Sequence, residues 1–239
     1  MEFKDKYHFK KEVNRRFAKQ NLTKLVHTNS RFEGVNTTLA QTQTIIDGMG
    51  VEGVSVHDTD VIKLLQKAWN FVIKSDEPLT LDFEQKVNRI VAWDQALFPG
   101  EFRSGNGSVT LATGDEFIPD LVDLEKEQQY LTTLLSNPNR TATDKAITLM
   151  YHMMRSQLFW DGNKRTATLI ANKIMIDNGA GLINVPLNKW GQWNELISDY
   201  YQSNDMTKIK AWTYEHAIQG ITIDRNRIRM QPKPKKHNR

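Results

Sequence analysis

Apolar residues along this chain recur mostly at helical spacing. Val61, Leu64, Leu65, Ala68 and Val72 fall on one face of a helix over Val61–Lys74, with Asp58 as its expected N-cap. Val87, Ile90, Val91 and Ala96 follow a Thr80 cap. Ala146, Leu149, Met150 and Met153 form a stripe ending near Arg155, and Leu169, Ile170, Ile174 and Met175 begin another. The pattern predicts helices over Lys4–Gln20, Thr37–Asp47, Leu121–Leu135, Ala142–Arg155, Asp161–Asn178, Leu187–Gln202 and Met206–Gln219, with Asn178-Gly179 as a C-terminal stop. Arg103–Pro119 breaks this texture. It is glycine-rich and has no helical period, and Ser108-Val109-Thr110-Leu111 is its one strand-like run. The expected fold is mostly α with one small β-hairpin, in one body over residues 1–223 whose N-terminal helical extension covers about residues 1–50.

Composition bounds the function. At 239 residues and 39% hydrophobic the chain can bury a sizeable core, and no apolar run approaches the roughly 20 residues of a membrane span. The first eleven residues are charged and aromatic without an apolar stretch, which argues against a secretion signal. Zero cysteines exclude disulfides and thiolate metal sites and suit a reducing cytoplasm. The net charge of +4 is uneven, because residues 224–239 carry seven Lys/Arg and one Asp, leaving −2 for residues 1–223. This proline-containing basic end is expected to be a disordered tail. It has no aromatic residues between its charges, and the body has no zinc spacing or helix-turn-helix pattern, so nucleic acid is a disfavoured partner.

The candidate chemistry lies in Phe159-Trp160-Asp161-Gly162-Asn163-Lys164-Arg165-Thr166-Ala167, between two helical stripes. An acid can hold Mg²⁺, a glycine lets the backbone approach a ligand, and two cations neutralise phosphate oxygens. The run is a tight turn into a helix N-terminus, which itself favours an anion. Lys164 and Arg165 in that first turn oppose the helix dipole, so a shared anion explains them better than helix stability does.

This run resembles the signature of the Fic/Doc family, H-x-F-x-[DE]-[GA]-N-[GK]-R-x-x-R. The resemblance implies a helical domain with the motif between two central helices, under a hairpin flap that clamps an extended target segment. Arg103–Pro119 has the place and composition of the flap, with Ser108, Val109, Thr110 and Leu111 as its target-binding strand and Phe117-Ile118-Pro119 at its close. It further implies ATP or another nucleotide with Mg²⁺ as cofactors, and transfer of AMP or phosphate to a hydroxyl of a target protein. By the same resemblance Phe159 anchors the loop, Asp161 holds the metal, Gly162 and Asn163 form the anion nest, and Lys164 and Arg165 bind phosphate. Lys164-Arg165-Thr166-Ala167 is closer to Doc-like members at the loop's end, since Thr168 stands where AMP-transferring members have a second arginine. Ser30-Arg31-Phe32-Glu33-Gly34 is similar to the inhibitory motif [ST]-x-x-x-E-[GN], although Asn29 stands at its Ser/Thr position. Glu33 is thus either a surface acid or an inhibitory glutamate, with Arg165 or Lys164 as its available partners.

The chain departs from the family at its most sensitive position. Gln157 occupies the place of the catalytic histidine, and an amide cannot take up a proton near neutral pH. Two readings follow: a transferase of weak or altered activity, or a nucleotide-binding regulator that has lost its base. His152, the nearest histidine, is expected to serve the helix or core. Trp190, Trp193, Tyr200, Tyr201 and Trp212 are expected to pack between helices.

Overall fold

The computed structural model describes residues 3–221; the basic tail lies outside them. Ten α-helices and two small antiparallel ribbons make up the described chain. The order is α1 (Lys11–Gln20), α2 (Leu22–Ser30), a 3₁₀ turn (Arg31–Glu33), α3 (Leu39–Ile46), α4 (Val56–Lys74), α5 (Leu81–Val91), β1 (Val109–Thr110), β2 (Glu116–Phe117), α6 (Leu124–Ser136) and α7 (Ala142–Ser156). It continues with α8 (Asn163–Asp177), β3 (Leu182–Ile183), a 3₁₀ turn (Leu187–Lys189), α9 (Trp190–Ser203), α10 (Thr207–His216) and β4 (Ile218–Gln219). The architecture is mostly helical with a hairpin, as the pattern predicts. No helix of the described residues is long and apolar enough to cross a membrane.

Helix α8 is the axis of the core. It is buried on nearly every face, from Asn163 through Ile176, which a two-faced surface helix never is. Helices α7, α1, α4 and α5 surround it. Leu169, Ile170 and Met175 have no exposed surface, and each contributes about 1.5–3 kcal/mol by burial. Two polar residues buried in α8 spend their hydrogen bonds at once. Asn172 accepts from Ile183 N–H at 2.9 Å and donates to Ile183 O at 2.9 Å, while Lys173 donates to Ser75 O at 2.9 Å and pairs with Asp177 at 2.6 Å.

Side-chain caps fix the starts of α3 to α7. Thr80 accepts from Phe83 N–H, as expected. Asp58 is not the cap of α4: Ser55 is, accepting from Asp58 N–H at 3.0 Å, so the helix begins before its apolar stripe does. Helix α8 starts at Asn163, after Gly162, and ends at the expected Asn178-Gly179 stop, where Gly179 has φ +67°. A side chain at Gly179 would overlap the Phe9 carbonyl oxygen, 1.8 Å away.

That contact belongs to the largest correction. The helix expected from Lys4 begins only at Lys11, and residues 3–10 are an extended strap. The strap is fixed by long-range bonds: Phe9 N–H donates to Gly179 O at 2.8 Å, and the Asp5 carboxylate accepts from Thr143 N–H at 2.7 Å. A second ribbon, β3 with β4, pairs Leu182 with Gln219 and Ile183 with Ile218 where one continuous helix was expected to reach Gln219. The hairpin itself has the expected place. Val109 pairs with Phe117 and Thr110 with Glu116, and the Leu111 N–H closes the turn on Asp115 O at 2.8 Å.

Candidate functional site

The turn from α7 to α8 is built by side chains that tie the loop to itself. Gln157 closes α7 in the left-handed region, at φ +47° and ψ +58°, a conformation uncommon outside glycine. Its amide is spent on the scaffold. Nε2 donates to Met154 O at 2.6 Å, and Oε1 accepts from Asn163 Nδ2 at 3.0 Å. Asn163 also accepts from Phe159 N–H at 2.9 Å and donates to Phe159 O at 2.8 Å. Its side chain therefore braces the loop, and of the two expected nest residues Asn163 offers a ligand only its backbone. Phe159 is buried and stacks on Phe102 with centroids 5.0 Å apart, the anchoring that the resemblance implies.

Gly162, at φ +72°, is pressed against α5; a Cβ there would lie 3.1 Å from Val91 Cγ1 and 3.3 Å from Asn88 Nδ2. Asn88 is buried and fully used. It donates to Asp161 O at 2.8 Å and Thr166 Oγ1 at 3.1 Å, and accepts from Gly100 N–H at 2.9 Å. Sequence reasoning missed it, although a polar residue between Val87 and Val91 in an apolar stripe is a usable signal.

The charged groups meet at the first turn of α8. Arg165 has no exposed surface. It donates to Val91 O at 3.2 Å, its NH2 approaches Asp161 Oδ1 at 3.4 Å, and its Nε lies 2.7 Å from Glu33 Oε1. The Nε–H is poorly aligned with that oxygen and stays without a hydrogen bond, so the short contact is one of charge. Burial pushes the Glu33 carboxyl up; Arg165 opposes the shift and Asp161 adds to it. Burial also lowers Arg165 and Lys164, with Glu33 opposing both shifts. Of the two partners open to Glu33 in sequence, Arg165 is the one in contact. Glu33 is set there by Phe32, which packs on Trp190 and Trp193 with centroids 5.1 and 5.3 Å apart, so the tryptophans do pack between elements as expected.

The Gly162 N–H donates to the Asp161 carboxylate, and the first bond of α8 runs from Thr166 N–H to Gly162 O at 2.8 Å. The N–H groups between them precede the helical ladder and suit an anion. The Asp161 side chain remains 41% exposed. No cluster of three or more His, Asp or Glu side chains that could cage a metal exists among the described residues. A single part-exposed carboxylate such as Asp161 would fit Mg²⁺ only in company with phosphates and water, which is how Mg²⁺ is usually bound.

Lys164 points from this turn to a cavity of about 220 Å³, lined by Val109–Ala112 of the flap and by Asn194, Ile197, Ser198 and Tyr201 of α9. Pockets for whole drug-sized ligands start at about 300 Å³, so this space fits a part of a nucleotide. Of the four flap residues, Val109, Thr110 and Leu111 line it and Ser108 does not. Thr168 is buried and donates to Lys164 O at 2.9 Å, so no second cation stands there. His152 is held at 2.7 Å from Glu127 and stacks on Tyr130 at 3.7 Å, the helix role expected of it. It faces a separate cavity beyond Phe117.

Residues 78–175 match the family model described as Fic/DOC family. No curated protein matches the chain. A Fic domain containing signaling protein from Bacteroides thetaiotaomicron is similar in structure, at TM-score 0.71 and 21% identity over 84% of this chain and 79% of that one. Fic-1 (residues 134 to 508) from C. elegans gives TM-score 0.73 and 19% identity over 86% of this chain and 62% of that one, so this chain spans less than two thirds of it. IbpAFic2, solved covalently tethered to Cdc42, gives TM-score 0.50 and 12% identity over 86% of this chain and 68% of that one. These likenesses are of fold. The matched region holds the flap, α7, the loop and most of α8, and leaves Glu33 outside. Over residues 78–175 this chain matches the Fic/DOC family, and its fold is that of Fic-domain proteins.

Proposed function

We propose that this protein binds a nucleotide triphosphate with Mg²⁺ at the α8 N-terminus, in a site held closed by its own Glu33, and that it is a regulator with weak or no transferase activity. The observation that carries this reading is the buried Arg165 guanidinium, whose charge is met by the Glu33 and Asp161 carboxylates where phosphate oxygens would otherwise meet it. Asp161 holds the metal with the phosphates. Lys164 and Arg165 take phosphate oxygens, and the N–H groups of Asn163 and Lys164 serve as the nest. The flap cavity takes the part of the nucleotide beyond the phosphates.

Gln157 favours the regulator over a full transferase. Base catalysis is worth roughly 10²–10⁴-fold; an amide cannot supply it, and this amide is already committed at both ends. The second reading, altered transfer of AMP or phosphate to a target-protein hydroxyl, is favoured by the hairpin flap standing beside the site. In either case residues 1–223 act as one unit, with a basic tail, in the cytoplasm. Titration of the parent and of Glu33→Ala with ATP and Mg²⁺, followed by labelled-nucleotide transfer in the same samples, tests both. Binding by neither protein sinks the proposal, and transfer by the parent at ordinary enzymatic rates sinks the regulator reading.

A further inference from the structure

We propose that Arg103 is the positioning residue that sets the flap against the candidate phosphate loop. It stands at the root of the flap and is 3% exposed, yet among the described residues it makes no ion pair. Its guanidinium is spent on backbone carbonyls from three segments. Nε donates to Gln157 O at 3.0 Å, NH1 donates to Gly105 O, and NH2 donates to Asp120 O at 2.5 Å and Ser156 O at 3.5 Å. Gly105 begins the outgoing limb of the flap, Asp120 ends the returning limb, and Ser156 and Gln157 close α7. The Arg103 N–H adds a bond to Leu158 O at 2.8 Å, beside the Phe102–Phe159 bridge. Gly107 lies where a Cβ would meet Arg103 Cδ at 3.2 Å, so the outgoing limb rests on the arginine stem.

Burying a cation without a carboxylate is costly, and here burial lowers the guanidinium pKa. A planar fork with five donors can serve the four carbonyl oxygens of these three segments together. Two of its acceptors belong to the turn that carries left-handed Gln157. One residue thus fixes both limbs of the flap relative to the loop. The inference rests on the proposed function only for what the flap clamps, an extended protein segment; the mechanical role stands on the hydrogen bonds.

The test uses Arg103→Ala and Arg103→Lys in the full chain, with rapid hydrogen exchange and ATP–Mg²⁺ titration. In Arg103→Ala, exchange over residues 103–120 should rise roughly tenfold or more while α8 changes less than about twofold, because local opening is decoupled from the core. Arg103→Lys keeps the charge and stem but not the fork. It should keep α7 and α8 protection and leave the flap fast, with a lower ATP–Mg²⁺ affinity than the parent's, because Val109, Thr110 and Leu111 line the cavity proposed for the nucleotide. Where transfer is measurable, the KM for a target peptide should rise more than kcat falls. Equal exchange in parent and variants overturns the proposal. So does a rise in α8 matching that of the flap in Arg103→Lys, and so does full restoration of flap protection by lysine. If the parent binds no nucleotide, the functional reading fails while the exchange arms still decide the role of Arg103.

Discussion

Arg165 and Glu33 meet at 2.7 Å, the guanidinium wholly buried and the carboxylate 24% exposed. The arginine comes from the first turn of α8 and the glutamate from a 3₁₀ turn outside the family-matched region. Their N–H and oxygen are misaligned, so the contact draws on charge and forgoes a hydrogen bond. A phosphate oxygen with correct geometry would make a stronger, charge-assisted bond to the same group. Under the proposed function, Glu33 is an internal ligand that a nucleotide phosphate would displace.

Removing that ligand should open the site. Glu33→Ala leaves Arg165 only Asp161 as an ionic partner, so the variant should be less stable than the parent when empty. Its affinity for ATP–Mg²⁺ should increase about tenfold or more, worth about 1.4 kcal/mol. Calorimetry with equal affinities for parent and variant would show that Glu33 does not compete with the nucleotide.

The complementary change acts on the cation. Arg165→Ala should weaken ATP–Mg²⁺ binding by about 1.5–3 kcal/mol, the range for hydrogen bonds to charged groups. It also strands Glu33 and Asp161 beside each other, so thermal stability should fall with it. Unchanged nucleotide affinity in a folded variant removes Arg165 from the phosphate site.

Acid should act like the Glu33 substitution. Burial raises the Glu33 carboxyl above its ordinary 4.5, so on acidification it takes up a proton before an exposed glutamate does. The neutral acid no longer attracts Arg165. Relative to Glu33→Gln, the parent should therefore gain ATP affinity as pH falls through the window just above 4.5. Parallel pH profiles for the two proteins would contradict a charge latch.

Glu84 supplies an independent test of the core. It is 1% exposed in α5, its Oε2 has no hydrogen bond, and burial, with Glu127 adding, pushes its carboxyl up to about 8. The native state thus keeps a proton that the unfolded chain loses near 4.5. Stability from this group is full below that value and falls as pH rises through about 8, by at most about 1.4 kcal/mol per unit. Glu84→Gln cannot ionise, so urea titrations at about pH 5 and about pH 8 should show a smaller loss than in the parent. The same loss in both proteins would mean that Glu84 does not titrate in this window.

Much of this was legible because it is local. The stripes on α7 and α8 repeat at helical spacing, and the acid, glycine and cations between them are what prompt the expectation of an anion site. What escaped the pattern depends on distant partners. Residues 3–10 read as a charged helix, but Phe9 bonds to Gly179 and Asp5 caps α7, which no local spacing reveals. Ser55 outranked Asp58 as a cap because polar residues ahead of the stripe also join the helix. Glu33 was visible as part of a motif, whereas the choice of Arg165 over Lys164 needed the geometry. Asn88 and Arg103 hold the loop through backbone carbonyls, contacts that leave no charge pattern in sequence.

Restoring a base at position 157 tests whether the rest of the site is still assembled. Histidine is several-fold enriched in the left-handed region relative to most side chains, so it suits the backbone at Gln157. It would replace an amide that bonds Met154 O and Asn163 Nδ2, so loss of about one net hydrogen bond, roughly 1 kcal/mol, should accompany the change. An imidazole can accept a hydroxyl proton near neutral pH, which the amide cannot. Gln157→His combined with Glu33→Ala should therefore raise transfer of labelled AMP or phosphate to protein by up to roughly 10²–10⁴-fold over Glu33→Ala alone. Gln157→Ala in the same background should stay at the lower rate. If alanine instead abolishes an activity the parent has, the glutamine itself is catalytic and the regulator reading fails. If histidine adds nothing while ATP–Mg²⁺ still binds, the missing cation at Thr168 becomes the next limit. Thr168→Arg in that triple combination then decides whether the scaffold can transfer at all.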